Sequence, residues 1–233
     1  MKAPGGRTVE PEWLDELPPQ DPRAIRSRRD LRRLNKTMKH PEIMARNLFK
    51  QLKALPNPRV VELGAGDGNF LLNVVRQAPA CTGELLLVDQ VAAFDPEIND
   101  GFNRAGWRVK TEIADVFGWL GKADANVADA IVCNLFLHHF RPPALAELLR
   151  LAARCTNVFI GLEPRRSWFS MLCGRFLWCI GCGPVTRHDA AISLRAGFTG
   201  RELSLQWPDP TEWQIEERPA GLFSHIFIAR QIQ

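Results

Sequence analysis

Arg59-Val60-Val61-Glu62-Leu63-Gly64-Ala65-Gly66-Asp67-Gly68-Asn69-Phe70 is the most informative segment of this 233-residue chain. Its apolar residues predict a strand buried on both faces, and its glycines predict a sharp turn into a helix. Glycine adopts backbone angles that a side chain forbids and lets the main chain approach a ligand closely. The segment therefore predicts the first strand, turn and helix of an α/β sheet that binds a ligand at its strand ends.

Strands and helices alternate beyond this segment. Short apolar runs typical of parallel strands lie at 59–63, 84–89, 108–113, 128–134 and 157–162. Helical patterns lie between them at 69–77, 98–105 and 142–154. Two further strands, 200–207 and 222–229, lack a long helix between them and predict an antiparallel hairpin. We predict an α/β fold with a Rossmann-like, doubly wound, mostly parallel seven-stranded sheet, an antiparallel C-terminal hairpin and an N-terminal helical extension.

The chain divides into two predicted parts. Residues 1–55 form an N-terminal tail and helical cap, with two helices over 23–55 that break at His40-Pro41. Residues 56–233 form the sheet domain, in which 162–199 are an acceptor-side lid or insert. The apolar run 168–185 within that insert is compatible with a lid, with a helix buried against the sheet, or with peripheral membrane attachment for a lipid-like acceptor.

Composition restricts the class of protein. The chain has 45% hydrophobic and 24% charged residues, as globular proteins do, and a net charge of +4. Arginines concentrate in 23–39, which indicates a solvated helix face or a phosphate- or membrane-surface patch. Because no aromatic residues alternate with them, no nucleic acid partner is expected.

Cysteine usage and the N-terminus suggest a cytoplasmic protein. The N-terminal residues are polar and predict no secretory signal, and no run is long enough to span a bilayer. The six cysteines lie mostly in apolar surroundings, which is typical of a reducing compartment. Cys179 and Cys182 have the spacing of a metal or redox pair, but no second pair accompanies them, so no metal is expected.

Carboxylates follow the second and third predicted strands. Asp89 ends the strand beside the glycine turn, where a carboxylate can accept two hydrogen bonds from a ribose diol or cap a turn. Asp115 follows the next strand and can accept from an adenine amine or cap a helix. A dinucleotide fingerprint needs its third glycine at Asn69, which argues against an NAD or FAD oxidoreductase.

Together, these features resemble the class I S-adenosylmethionine-dependent methyltransferases over roughly residues 58–163. The resemblance implies that S-adenosylmethionine is the cofactor and that 56–233 is the methyltransferase domain. It implies that Glu62 orders the loop and approaches the methionine amine, that Gly64 and Gly66 admit the cofactor, and that Asp89 and Asp115 bind ribose and adenine. The other residues it places at the cofactor are Ala65, Gln90, Val116 and Asn134.

Two adjacent histidines, His138 and His139, follow the fourth predicted strand. A neutral imidazole there can take a proton from a phenol or an enol, and alignment of the two reactants would supply much of the catalysis. Segment 136–140 resembles small-molecule methyltransferases acting on quinones, phenols and polyketides. In the aromatic O-methyltransferases, a histidine matching His138 is the base; those enzymes usually carry an acid at the position of His139.

The expected reaction is methyl transfer to oxygen or carbon of a small acceptor of aromatic or polyketide type. A methyltransferase-fold binding subunit without activity is the first alternative. A methyltransferase acting on RNA or protein is the second, although the Pro-Pro-aromatic signature of amino-directed enzymes is missing after Asn134.

Overall fold

The computed structural model describes residues 5–53, 55–78, 81–91 and 93–232. The strands are β1 Arg59–Leu63, β2 Gly83–Asp89, β3 Trp107–Ile113, β4 Ala130–Asn134, β5 Val158–Pro164, β6 Trp213–Pro219 and β7 Ser224–Gln231. The helices are α1 Trp13–Glu16, α2 Pro22–Thr37, α3 His40–Leu52, α4 Asn69–Val75, α5 Ile98–Arg104, α6 Val116–Lys122, α7 Pro142–Cys155, α8 Trp168–Gly174 and α9 Pro184–Ala196.

The strands form one seven-stranded sheet in the order β3-β2-β1-β4-β5-β7-β6. Strands β1 to β5 are parallel, whereas β7 runs antiparallel to both β5 and β6. The predicted mostly parallel sheet with an antiparallel C-terminal hairpin is therefore confirmed. The strand order reverses between β1 and β4, which opens a crevice at the carboxyl ends of the strands.

Both faces of the sheet are covered, as the apolar strands require. On β4, Ala130 and Val132 belong to the core beneath α3, α4 and α5, whereas Ile131 and Cys133 belong to the core beneath α6 and α7. This alternation follows from the two-residue period of a strand. Because both faces of the sheet are apolar, the strand ends remain as the place where polar side chains can lie close together.

The predicted strand 200–207 is wrong. This region contains a 3-10 turn at Ser204–Gln206, and the edge strand is β6 instead. The carboxylate of Glu217 accepts hydrogen bonds from the backbone N–H groups of Leu203 and Ser204, at 3.1 and 2.7 Å, and so satisfies the turn. Leu203 and Trp207 flank this turn and are both buried in the core. The apolar residues that predicted a strand at 200–207 therefore reflect core packing.

The predicted helical extension is present and packs on α9. Asp30 on α2 accepts from the backbone N–H of Gly183 at 2.7 Å and from the hydroxyl of Thr186 at 3.1 Å. Asp189 on α9 accepts from the backbone N–H groups of Trp13 and Leu14 at the start of α1. These contacts bring the N-terminal segment to the carboxyl edge of the sheet. Within the described ranges, no helix combines the length and apolar character needed to cross a membrane.

Candidate active site

A cavity of about 710 Å³ occupies the crevice at the carboxyl edge of the sheet. Its lining comes from the ends of β1 and β2, the segments after β3 and β4, helix α2, and the 170–194 region. Most of these side chains are apolar, including Leu31, Leu34, Met38, Phe176 and Leu177. An apolar cleft with a few polar groups at fixed positions is typical of small-molecule sites.

The glycine loop forms one end of the cavity. Gly64, Gly66 and Gly68 have φ values of 69°, 57° and 78°, in the left-handed region that favours glycine. A Cβ atom on Gly64 would lie 2.2 Å from a ring carbon of Phe136, so a side chain there would collide with the ring. Glycine at position 64 is therefore required by both backbone conformation and packing.

Asp89 points towards this loop. Its Oδ2 accepts from the backbone N–H of Gly66 and its Oδ1 from that of Val91, both at 2.8 Å. A carboxylate has about four acceptor positions, so each oxygen can accept a further hydrogen bond from a ligand. Asp89 and Gln90 both line the cavity.

Glu62 is a buried carboxyl group behind the loop. Burial, reinforced by the negative charges of Asp67 and Asp89, raises the pKa of Glu62 well above its ordinary value. Its Oε2 is buried and has no hydrogen-bond partner among the described residues. Because a buried polar atom of this kind is costly, the site favours a ligand group that could donate to it.

Asp115 caps α6, where its Oδ2 accepts from the backbone N–H of Gly118 at 2.8 Å. Asp115 and Val116 line the cavity on the same side as Asp89. Asn134 is bonded to His40, with 2.9 Å between its Oδ1 and the imidazole Nδ1.

His138 forms the buried centre of a charged network. Its Nδ1 lies 2.8 Å from Oε2 of Glu163, and its Nε2 lies 3.3 Å from Oε1 of Glu12. Burial alone would lower the pKa of His138, but the hydrogen bonds and charges of Glu12 and Glu163 outweigh it and raise the pKa to about 9. His138 is therefore an imidazolium at neutral pH, with both N–H groups donating to carboxylates.

The N-terminal segment completes this network. Burial favours the neutral form of Glu12, yet the hydrogen bond and charge of His138, with further help from His139 and Ser193, hold the pKa of Glu12 below its ordinary value. Arg7 donates to the backbone carbonyls of Phe140 and Ala196, at 3.2 and 2.7 Å. Through these contacts, the N-terminal segment packs across the turn that carries His138.

His139 has a different environment from its neighbour. It is partly exposed, lines the cavity, and its Nδ1 lies 3.3 Å from Oδ2 of Asp15. The ligand-capable atoms of Glu12, His138 and His139 lie within 4.8 Å of one another, so this group could hold a metal ion. A metal bound there would have to displace the Nε2 proton of His138, which is directed at Glu12.

His40 is a neutral histidine in the cavity wall. Burial lowers its pKa to about 4, despite the opposing hydrogen bond to Asn134 and the charge of Glu163. Its Nδ1–H donates to Asn134, so its Nε2 accepts from the hydroxyl of Ser224 at 2.5 Å. His40 therefore joins α3 to β4 and β7 at the cavity wall.

The structure brings most of the predicted site residues together. The ones that line the cavity are Gly64, Asp89, Gln90, Asp115, Val116, His138 and His139. The others do not line it directly. The glycine loop and the strand before it contain Glu62, Ala65 and Gly66, and Asn134 is hydrogen-bonded to His40, which lines the cavity. Sequence reasoning missed Glu12, Asp15, His40 and the role of Glu163. Of these, only Glu163 could have been identified from the sequence, because it lies at the end of a predicted parallel strand.

Comparisons with known proteins agree with this architecture. A sequence model of the family described as "Methyltransferase domain" matches residues 18–226. No curated protein matches the chain significantly.

Solved structures with the same fold are remote in sequence. The plantazolicin methyltransferase BpumL, in complex with a monoazolic desmethylPZN analog and SAH, is 14% identical, with a TM-score of 0.64 and 91% of both chains covered. Magnesium protoporphyrin IX methyltransferase (ChlM) from Synechocystis PCC 6803, with bound SAM, is 12% identical, with a TM-score of 0.56 and coverage of 88% of this chain and 84% of ChlM.

A third similar structure is an O-methyltransferase family protein from Burkholderia thailandensis. It is 16% identical, with a TM-score of 0.58, and the match covers 91% of this chain. The chain spans only 60% of the length of that protein. At these identities, the three structures support the fold and not a particular acceptor.

Proposed function

The chain belongs to the methyltransferase-domain family, and on that premise we propose that it transfers a methyl group from S-adenosylmethionine to oxygen or carbon of a small, uncharged, apolar acceptor of aromatic or polyketide type. One observation carries this proposal. A single cavity joins the glycine loop and the carboxylates of Asp89 and Asp115 to the histidine pair at 138–139.

The residues at the glycine end fit this cofactor. The remaining acceptor positions on Asp89 suit the ribose hydroxyls, and Asp115 with Val116 suits the adenine. The orphaned Oε2 of Glu62 suits the methionine ammonium, which would also stabilise the ionised carboxylate. When bound, S-adenosylmethionine supplies an electrophilic methyl group on a sulfonium centre.

The rest of the cavity defines the acceptor. No lysine or arginine is among the described residues that line it, although the chain is basic overall. Glu12 and Asp15 lie near the histidines, and the charge of His138 is already paired with Glu12 and Glu163. An anionic acceptor would therefore meet like charge. The 162–199 segment supplies an apolar wall, including Phe176, Leu177 and Ile180, against which a flat acceptor can pack.

The two histidines have separate roles in this proposal. Because both N–H groups of His138 donate to carboxylates, His138 acts as a positioning residue that fixes the turn after β4. His139 is the general base: Asp15 orients its Nδ1–H, and its Nε2 takes the proton from a phenol or enol. The cavity walls would hold the resulting oxyanion or carbanion beside the cofactor site, so that the two reactants are aligned.

The test has two stages. Calorimetry first measures binding of S-adenosylmethionine and its demethylated product to the full chain; absence of binding would overturn the proposal. Transfer of a labelled methyl group is then measured on matched pairs of phenols and enols, with and without a carboxylate substituent. Turnover on the uncharged members alone supports the proposal. Cofactor binding without turnover on any member would favour a binding subunit instead.

A further inference from the structure

Large apolar side chains are unusually exposed on one segment beside the cavity. Six residues of α8 and the 3-10 turn after it are between 37% and 60% exposed, and we call them the apolar patch: Trp168, Phe169, Leu172, Phe176, Trp178 and Ile180. Scattered exposed apolar residues are normal in soluble proteins, but a contiguous group usually marks an interaction site. The apolar patch is therefore a candidate interaction surface.

The apolar patch is continuous with the cavity. Phe176 and Ile180 are each more than half exposed, yet they also line the cavity, so they form its rim. Cys173 and Leu177, on the same segment, line the interior. A molecule held on the patch would thus reach the cavity along an apolar path.

Positive charge borders the apolar patch. Arg175 lies within it, and Arg26 on α2 places its guanidinium 3.4 Å from the carbonyl oxygen of Gly181. Arg165 lies near its other end, because its backbone N–H donates to the carbonyl of Phe223, whose ring stacks on Phe169. The sequence between Glu163 and Asp189 contains no acidic residue. The border is therefore complementary to an anionic surface.

We propose that the apolar patch docks onto an anionic lipid bilayer and that the cavity takes a lipophilic acceptor directly from it. Tryptophan and phenylalanine insert at the membrane interface, and arginines beside them pair with anionic headgroups. A second copy of the chain is a poorer partner, because a twofold contact through this patch would bring the same arginines together. The loading step rests on the proposed function, whereas the docking step does not.

Sedimentation of the full chain with lipid vesicles tests the docking step. We expect binding to vesicles of phosphatidylcholine with phosphatidylglycerol, and much weaker binding to phosphatidylcholine alone. The double variant Trp168→Ser/Trp178→Ser should reduce the partition coefficient about tenfold, because two interfacial aromatic side chains are lost. Leu205→Ser is the matched control, since Leu205 is 83% exposed on a different surface turn, and it should bind like the original chain.

The outcomes separate the two proposals. No binding to anionic vesicles, equal binding to both vesicle types, or an unaffected double variant would each overturn docking. Conversion of a dimer to a monomer by the double variant, seen by sedimentation equilibrium, would also overturn it. Neither tryptophan lines the cavity, so cofactor affinity measured by calorimetry should stay unchanged. A failure of that calorimetry in the original chain would instead overturn the proposed function.

The loading step has its own measurement. With a long-chain phenol embedded in anionic vesicles, the double variant should show a raised KM and an unchanged kcat. With a short-chain soluble phenol, both constants should match those of the original chain. Equal loss on the two phenols would show that the substitutions disturb the site itself and would overturn loading from the membrane.

Discussion

Nδ1 of His138 lies 2.8 Å from Oε2 of Glu163, and this buried pair joins the turn after β4 to the end of β5. The same carboxylate accepts from the backbone N–H groups of Phe136 and Leu137, at 3.0 and 2.8 Å. Glu163 therefore holds the backbone that places His139 and Phe136 in the cavity wall. The His138–Glu163 pair has a structural role: it fixes the position of His139, the proposed base.

Replacing Glu163 by glutamine should destabilise the protein by about 3 kcal/mol, because it leaves the His138 imidazolium with one buried carboxylate instead of two. The measurement is urea unfolding followed by circular dichroism. Glu147→Gln is the control, since Glu147 forms an exposed ion pair with Arg150, and its unfolding midpoint should barely change. A midpoint shift no larger than that of the control would contradict the role given to Glu163.

Stability should fall on the alkaline side because of His138. The ordinary pKa of histidine is about 6.5 and the folded value is about 9, so the folded state binds the proton more tightly than the unfolded state. This contribution, roughly 3 kcal/mol for such a shift, is fully present below pH 6.5 and is lost as the pH rises through about 9. Urea unfolding across that range measures it, and His138→Asn should remove the slope. If the variant keeps the pH dependence of the free energy of unfolding, another group must cause it.

Replacing Asp89 by asparagine should weaken S-adenosylmethionine binding about a hundredfold, because one acceptor oxygen becomes an amide NH2 group and the other loses its negative charge. Calorimetry gives the dissociation constant. Asp129→Asn is the matched control: Asp129 also accepts a backbone N–H, from Arg59 at 2.7 Å, but at the opposite edge of the sheet. Equal losses in the two variants would point to general destabilisation instead of a ribose contact.

Cofactor binding should release a proton from Glu62. Burial raises the pKa of Glu62 well above its ordinary value, and a bound ammonium beside Oε2 would favour the ionised form. Affinity should therefore rise with pH until the pKa of the free protein is passed. Calorimetry in two buffers with different ionisation enthalpies detects the release, which Glu62→Gln should abolish. A binding enthalpy independent of the buffer would contradict this contact.

His139→Gln should lower kcat by about a hundredfold and leave the dissociation constant of S-adenosylmethionine unchanged, because general base catalysis is lost and the cofactor contacts remain. His188→Gln is the matched control, since His188 also pairs with an aspartate, Asp189 at 3.0 Å, but lies outside the set of cavity-lining residues. Full activity in His139→Gln would exclude it as the base.

The sequence by itself determined the parallel sheet and the glycine loop. Buried parallel strands require short apolar runs, and the turn after Leu63 requires glycine, so both leave local patterns in the chain. The position of Asp89 followed as well, because the carboxyl ends of neighbouring parallel strands meet at one edge. The same local reasoning failed at 200–207, where Leu203 and Trp207 reach the core from a turn.

Only the tertiary structure decided the environment of each histidine. Glu12 reaches His138 from 126 positions away, and Ser224 reaches His40 from 184 positions away. No local pattern encodes these contacts, because they form when the N-terminal segment packs on α9 and when β7 pairs with β5. The charge of an imidazole depends on such neighbours and on burial, so packing made His138 a cation and His40 neutral.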